Sequence, residues 1–158
     1  MNTNYAGFWQ RFLALIIDGI IIGIVRSVII VPIMVAMGFS VASEAQSLDS
    51  DDLSTLLPIL GTVAALVGVA MIASTVIWVL YYTLMESSKY QATVGKLALG
   101  IIVTDASGNK LDFSKALIRN VCKIISGMVM CIGFIIAAFT EKKQALHDII
   151  ASTLVVKK

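Results

Sequence analysis

Two long runs of apolar residues dominate the hydrophobic pattern of the chain. Leu53–Met85 contains no Asp, Glu, Lys, Arg or His, and an earlier run covers Phe12–Ala36. About 20 helical residues cross a hydrocarbon core of about 30 Å, so both runs are long enough to span a bilayer. A signal peptide has a shorter apolar core with no acid, whereas the first run contains Asp18. The pattern predicts two retained transmembrane helices, over residues 8–37 and 53–86.

The last third of the chain predicts both strands and helices. Gly100–Thr104 and Lys110–Phe113 flank a short polar turn, which predicts a β-hairpin within residues 97–113. Thr153–Val156 reads as a further strand, and such a strand would stabilise a hairpin that is marginal alone. Between them, residues 114–140 predict an amphipathic and then apolar helical hairpin. Its uncharged part is short for a full crossing.

Composition supports a membrane location. Hydrophobic residues make up 58% of the 158 residues and charged residues 14%, with a mean hydropathy of +0.93. A soluble domain has about 45 to 50% apolar and about 25% charged residues. The net charge of +2 is too small to indicate a nucleic-acid partner. Two cysteines without C-x-x-C spacing indicate neither a disulfide framework nor a metal site.

The distribution of charge predicts the orientation of the chain. The loop 38–52 is acidic and has no Lys or Arg, whereas Lys and Arg follow the second helix, so the loop is expected outside. The N-terminus and the tail 141–158 are then cytoplasmic. A full crossing by residues 114–140 would export the lysines of the tail. A re-entrant or interfacial hairpin is therefore favoured, with a third or fourth short crossing as the alternative.

These elements predict one domain over residues 1–158. Its fold class is an all-α membrane protein with two full transmembrane helices, the helical hairpin and a small cytoplasmic β-hairpin or sheet. Lys115, Arg119 and Lys123 recur at i, i+4 and i+8, and this basic stripe is typical of a helix that lies on an anionic membrane surface.

Charged residues inside the first helix are the first candidates for function. Inserting each charged side chain into a membrane costs about 2.5 to 3.5 kcal/mol on insertion scales, so we expect each to have a structural or functional role. Asp18 is either an ion or proton carrier or a buried acid that fixes helix packing. Arg26 either packs and snorkels or contacts a substrate. Arg11 and Asp18 lie on nearly one helix face, separated by a rise of about 10 Å.

Enzymatic chemistry has little support in the sequence. His147 beside Asp148 can titrate near neutral pH, but the tail offers no further ligand for a metal. Gly95-Lys96 matches only the end of a phosphate-loop pattern, and G-x-S-x-G and H-E-x-x-H are absent. We expect no enzyme activity, no catalytic residue, no metal and no cofactor.

Three segments together resemble the RDD family of small membrane proteins. They are Gly7–Phe12 running into Asp18, Gln91–Lys96 with its Thr93-x-Gly95-Lys96, and Ala145–Asp148. The family is named for one arginine and two aspartates, which fall here on Arg11, Asp18 and Asp148. The resemblance implies a multi-pass inner-membrane protein for which transport has been proposed, with cation/proton exchange suggested for some members.

Two hypotheses follow for this charge cluster, in which Arg11 lies between Asp18 and Asp148 and keeps both ionised. The first is a small oligomeric transporter that exchanges Na⁺, K⁺ or H⁺ at Asp18. The second is a non-catalytic membrane subunit or scaffold in which the same charges are structural. Transport requires a homo-oligomer or a membrane partner protein, because two helices cannot enclose a path alone, and a scaffold would dock another protein through the cytoplasmic sheet. The supporting residues are Arg26, Gly95, Lys96 and His147.

Overall fold

The computed structural model describes residues 4–46, 53–128, 136–137 and 140–158. The chain is mostly helical with a small sheet. Its elements in order are α1 (Phe8–Ala45), α2 (Leu53–Glu86), α3 (Val94–Ala98), β1 (Ile101–Asp105), α4 (Phe113–Met128), α5 (Leu146–Ile150) and β2 (Thr153–Lys157).

The chain divides into two compact units. The sheet unit comprises Met1–Ile21 and Val79–Lys158, and therefore holds the start of α1, the end of α2 and every short element. The helical unit, Ile22–Trp78, holds the remainder of α1 and α2.

Two helices are long and apolar enough to cross a membrane, over Phe8–Ser43 and Leu57–Glu86. Only 6% of the most apolar window of each helix is buried within the protein. A core helix of a soluble protein would have its apolar residues covered, so these side chains need lipid around them. Pro58 lies inside α2, beyond its first turn, so its missing N–H removes one intrahelical hydrogen bond.

The first helix is longer than the sequence pattern predicts. It continues to Ala45, so residues 38–45 of the predicted acidic loop are helical. The hydroxyls of Ser40 and Ser43 donate to the carbonyls of Met37 and Ser40, at 2.7 and 2.8 Å, and these bonds turn the serines back onto the helix. Residues 47–52 of the predicted loop lie outside the described part of the chain.

The sheet differs from the predicted hairpin. β1 pairs antiparallel with the tail strand β2, with Val103 opposite Val155. The predicted returning strand contributes only one bridge, from Lys110 to Thr104. The turn after β1 is held by the Asp105 carboxylate, which accepts the backbone N–H groups of two turn residues at 2.8 Å. The returning segment pairs no further, because the chain enters α4 at Phe113.

Both edges of the sheet are covered by other parts of the chain. On β2, Tyr5 forms a bridge with Val156, and Ala6 donates its N–H to the Val155 carbonyl at 2.9 Å. On β1, Val103 donates to the Gln91 carbonyl at 2.7 Å. The N-terminus is thereby tied to the last strand.

A small apolar core lies under the sheet. It consists of Ala6, Ala14, Ile101, Val103, Leu111, Ala116 and Val155. Three of these residues are alanines, so backbones approach closely but little apolar area is buried. The largest fully buried side chains of the described residues include Arg119 and Glu86, which are both charged.

The predicted helical hairpin 114–140 is described only in part. Its first arm is α4, which begins at Phe113. Residues 129–135 and 138–139 lie outside the described chain, so whether the segment crosses the membrane or returns stays a prediction.

Candidate functional site

The carboxylate of Asp148 binds two arginines. Arg119 Nε donates to Oδ1 at 2.8 Å, and Arg11 Nη1 forms an ion pair with Oδ2. Oδ2 also accepts the backbone N–H of Ala145, 3.2 Å away, which caps the first turn of α5. Burial alone would raise the pKa of Asp148, but Arg119 and Arg11 overcome this effect and hold the pKa well below its usual range. Asp148 is therefore ionised at neutral pH.

The carboxylate of Glu86, at the end of α2, is surrounded by cations. Lys96 of α3 and Lys123 of α4 both bind Oε1, the latter at 3.2 Å. Arg119 Nη1 lies 2.7 Å from Oε2, which also accepts a hydrogen bond from Asn120 Nδ2 at 3.1 Å. Burial lowers the pKa of Lys96 and of Lys123, although Glu86 acts to raise both.

Arg119 joins these two clusters. Its guanidinium contacts Asp148 through Nε and Glu86 through Nη1, and only 1% of the residue is exposed. Burial acts to lower the pKa of Arg119, but the two carboxylates reverse this and raise the pKa above its ordinary value. One rigid side chain thus connects the end of α2 to α5.

Asp18 lies in a separate cluster with neutral donors. Oδ1 accepts the Gly95 N–H at 2.7 Å and the Tyr81 hydroxyl at 3.0 Å, and Oδ2 accepts the Thr93 hydroxyl at 2.5 Å. The Tyr81 hydroxyl in turn accepts the Val94 N–H at 3.2 Å. Since Thr93 is the residue that precedes α3, the carboxylate of Asp18 occupies the position of a cap for that helix.

Gly95 is required where α3 meets α1. A Cβ at this position would overlap the carbonyl oxygen of Ala14 and approach the Asp18 carboxylate to 3.0 Å. The missing side chain is what lets the Gly95 N–H reach Asp18. The next residue, Lys96, points to Glu86. The Thr93-x-Gly95-Lys96 segment therefore connects α1 to α2 through backbone, hydroxyl and ammonium contacts.

The structure brings together only part of the predicted Arg-Asp-Asp network. Arg11 and Asp148 pair directly, whereas Asp18 contacts neither of them. The predicted position of Arg11 between two acids is wrong, because the rise of about 10 Å along α1 separates Arg11 from Asp18. The Nε of Arg11 instead donates to the Ala6 carbonyl at 3.2 Å. Arg119 is the arginine that lies between two acids.

The basic stripe on α4 is not on the membrane surface that the sequence pattern predicts. Arg119 and Lys123 are buried and bind Glu86, and only Lys115 is exposed. Lys123 also lies 4.3 Å above the ring of Tyr82. The i, i+4, i+8 pattern identified one helix face correctly but assigned it to the wrong environment.

The supporting residues have different surroundings. His147 is buried with Nε2 3.5 Å from Asp148 Oδ1, and burial lowers its pKa to about 3 despite that acid, so it is neutral at physiological pH. Arg26 belongs to the helical unit, and none of the described acidic side chains pairs with it. Among the described residues, no group of three or more His, Cys, Asp or Glu is placed to hold a metal ion.

Among the participants that sequence reasoning missed as site residues are Tyr81, Glu86, Arg119, Asn120 and Lys123. A usable signal was present for each of these except Tyr81. Glu86 is the first charge after the long apolar run, and Asn120 falls on the same arc of α4 as Arg119 and Lys123. A polar arc that includes an amide suits a buried acid better than a lipid surface. Nothing in the pattern singles out Tyr81 from its neighbour.

Two apolar helices of membrane length and a buried charge network define a small helical membrane protein. The chain belongs to the RDD family, whose sequence model matches residues 5–152. It is 40% identical over 154 residues to "Uncharacterized protein YxaI" of Bacillus subtilis (strain 168), covering 97% of each chain. It is 26% identical over 157 residues to "Uncharacterized membrane protein YteJ" of the same organism, covering 99% of this chain and 83% of the relative. No solved structure matches the chain.

We expect Gly95→Ala to disrupt the contact between α3 and α1. The added methyl group must displace backbone at Ala14, and overpacking of this kind costs about 1 to 3 kcal/mol or more. Gly38→Ala, in α1, is the matched control, because a Cβ there meets nothing within 4 Å among the described residues. Thermal unfolding in detergent measures both variants. Equal melting temperatures for the two would contradict the close approach at Gly95.

We expect Arg119→Ala to be the most damaging single charge removal in α4. It leaves two buried carboxylates without a shared partner, and breaking a buried pair costs about 3 to 5 kcal/mol. Arg119→Lys should recover only part of this loss, because an ammonium cannot reach both acids as a fork does. Lys115→Ala, at an exposed position of the same helix, should change stability by less than about 0.5 kcal/mol. A lysine variant as stable as the parent would argue against the bridging role.

We expect the protein to lose stability as the pH falls from about 6.5 towards 3. The folded pKa of His147 is about 3, below the ordinary value of 6.5, so the unfolded chain binds this proton first. The slope from one such group is at most about 1.4 kcal/mol per pH unit. Asp148, whose folded pKa is also depressed, adds a loss below its ordinary value of 3.8. His147→Gln should flatten the dependence above pH 4, and an unchanged slope would exclude His147 as its source.

Proposed function

We propose that the protein is a non-catalytic subunit or scaffold of the inner membrane, with both termini in the cytoplasm. Its charged residues attach the small sheet and the tail to the ends of the two long helices. The membrane partner is either a second copy of the chain or another membrane protein.

The observation that carries this proposal is the saturation of the buried acids. Both oxygens of Asp18, of Glu86 and of Asp148 accept hydrogen bonds or ion pairs from the chain itself. Removing a carboxylate from water is costly unless such partners replace the water, and here they do. Acids bound in this way hold neighbouring helices and strands in fixed positions.

Helix association in the membrane is supported by the surface of α2. Gly61 with Ala65, and Ala64 with Gly68, have the small-x-x-x-small spacing that permits close approach of a second helix. A Cβ at Gly61 or Gly68 would meet nothing within 4 Å in the part of the chain that the structure describes. The space beside these glycines is therefore available to a partner helix.

Cation/proton exchange is a second candidate, and one observation favours it. Glu86 and Asp148 bind cationic side chains, whereas in the described part of the chain Asp18 accepts hydrogen bonds from two hydroxyls and one N–H, all neutral. Asp18 is thus the acid of this set whose negative charge a bound Na⁺, K⁺ or H⁺ would balance. In this alternative a homo-oligomer provides the path for the cation. The charged side chains around Glu86 and Asp148 stay in place.

Proteoliposome flux combined with two substitutions at Asp18 tests both functions. A scaffold predicts that the purified parent gives no cation-dependent proton flux above protein-free liposomes. Asp18→Asn should stay folded, because the amide oxygen can accept the Gly95 N–H and the amide nitrogen can donate to Thr93. Asp18→Ala should lose about 1 to 3 kcal/mol, because it leaves that N–H buried without an acceptor.

The exchange hypothesis predicts a different pattern from the same samples. The parent then moves protons when Na⁺ or K⁺ is added, and Asp18→Asn abolishes this flux while its melting temperature stays near that of the parent. Flux by the purified parent would overturn the scaffold proposal. Full flux in a folded Asp18→Asn variant would exclude Asp18 as the ion site.

A further inference from the structure

The amphipathic helix α4 has its polar face buried and its apolar face exposed. Its polar arc, which carries Arg119, Asn120, Lys123 and Ser126, is buried within the sheet unit. Its apolar arc is exposed, with Phe113, Ile118, Val121 and Ile124 between 37% and 51% accessible. A helix on the surface of a soluble domain has the opposite arrangement, with its apolar stripe towards the core.

The two shorter helices of the sheet unit repeat this inversion. In α3, Gly95 and Lys96 are buried while Val94 and Leu97 are exposed. In α5, His147 and Asp148 are buried while Ile149 and Ile150 are about half exposed. The same polarity in three helices follows from the charge network. Lys96 of α3 and Lys123 of α4 bind Glu86, Arg119 of α4 binds both acids, and Asp148 of α5 binds two arginines.

We infer that the exposed apolar faces of α3, α4 and α5 lie in the lipid of the bilayer, beside the ends of the two spanning helices. We call these faces the apolar collar; they comprise Val94, Leu97, Phe113, Ile118, Val121, Ile124, Ile149 and Ile150.

Membrane-length helices in the same unit favour lipid as the occupant. The sheet unit also exposes Ile16 and Ile20 of α1 and Leu80 and Leu84 of α2, which belong to segments of membrane length. Helices with an apolar face and a charged face lie in the interface plane with the apolar side among the acyl chains. Here the charged side is satisfied by the protein rather than by water, so the collar can sit deeper than a basic surface helix. Lys115, exposed at the start of α4, is long enough to reach the headgroups from there.

Fluorescence quenching on the full chain in liposomes tests the collar. In a Cys122→Ser, Cys131→Ser background, a fluorophore is attached at Val121→Cys or, as a second position on the same face, at Ile118→Cys. Ser107→Cys, in the exposed turn after β1, is the aqueous control. The quenchers are doxyl-labelled lipid and iodide, and the melting temperature of each labelled variant verifies the fold.

We expect doxyl lipid to quench the labels at residues 121 and 118 severalfold more than the label at residue 107, and iodide to give the reverse order. Iodide quenching at residue 121 equal to that at residue 107 would place the face in water and overturn the inference. Protection from both quenchers would mean that protein covers the face, and this also overturns it. Spin-label distances between copies at residue 121 then distinguish a second copy from another part of the same chain.

Discussion

The position of Arg119 between Glu86 and Asp148 is the interaction on which the rest of the sheet unit depends. It fixes the end of α2 to α5, and each acid then orders its own surroundings. Asp148 caps α5 and holds Arg11 at the start of α1. Glu86 holds Lys96, and the backbone just before Lys96 holds Asp18. A planar group with donors in fixed directions suits this role, since both acids must be met at once.

Charged residues hold the elements together because the sheet unit has little apolar packing that could specify how its elements are arranged. The core under the sheet contains three alanines and few large apolar side chains. Most large hydrophobic residues of the described chain point outward instead. Buried ion pairs add little net stability compared with good apolar packing, but an incorrectly placed pair is severely unfavourable. The network therefore selects one arrangement of the elements more than it raises the free energy of unfolding.

Sequence patterns predicted what depends on local periodicity and missed what depends on distant pairing. The bounds of α2 and the strand character of the tail follow from an uninterrupted apolar run and from β-branched residues. The environment of the basic stripe on α4 could not be predicted from periodicity. Periodicity defines which residues share a helix face, but not whether that face contacts protein or lipid. Arg11 and Asp18 share a face of α1, yet their partners lie 137 and 77 residues further along the chain. Only the folded chain shows that these partners differ.

The same separations have a consequence for biosynthesis. Arg11 leaves the ribosome 137 residues before Asp148, a delay of roughly 7 to 30 s at about 5 to 20 residues per second. At first α1 has left the ribosome without the final partners of either Arg11 or Asp18. The partners of Asp18 follow by residue 95, and Arg11 lacks Asp148 for the whole interval. The N-terminal segment also lacks its partner until the end of synthesis, because Tyr5 pairs with Val156 of the last strand. A nascent chain, or one truncated before Asp148, therefore carries an Arg11 side chain without its carboxylate partner.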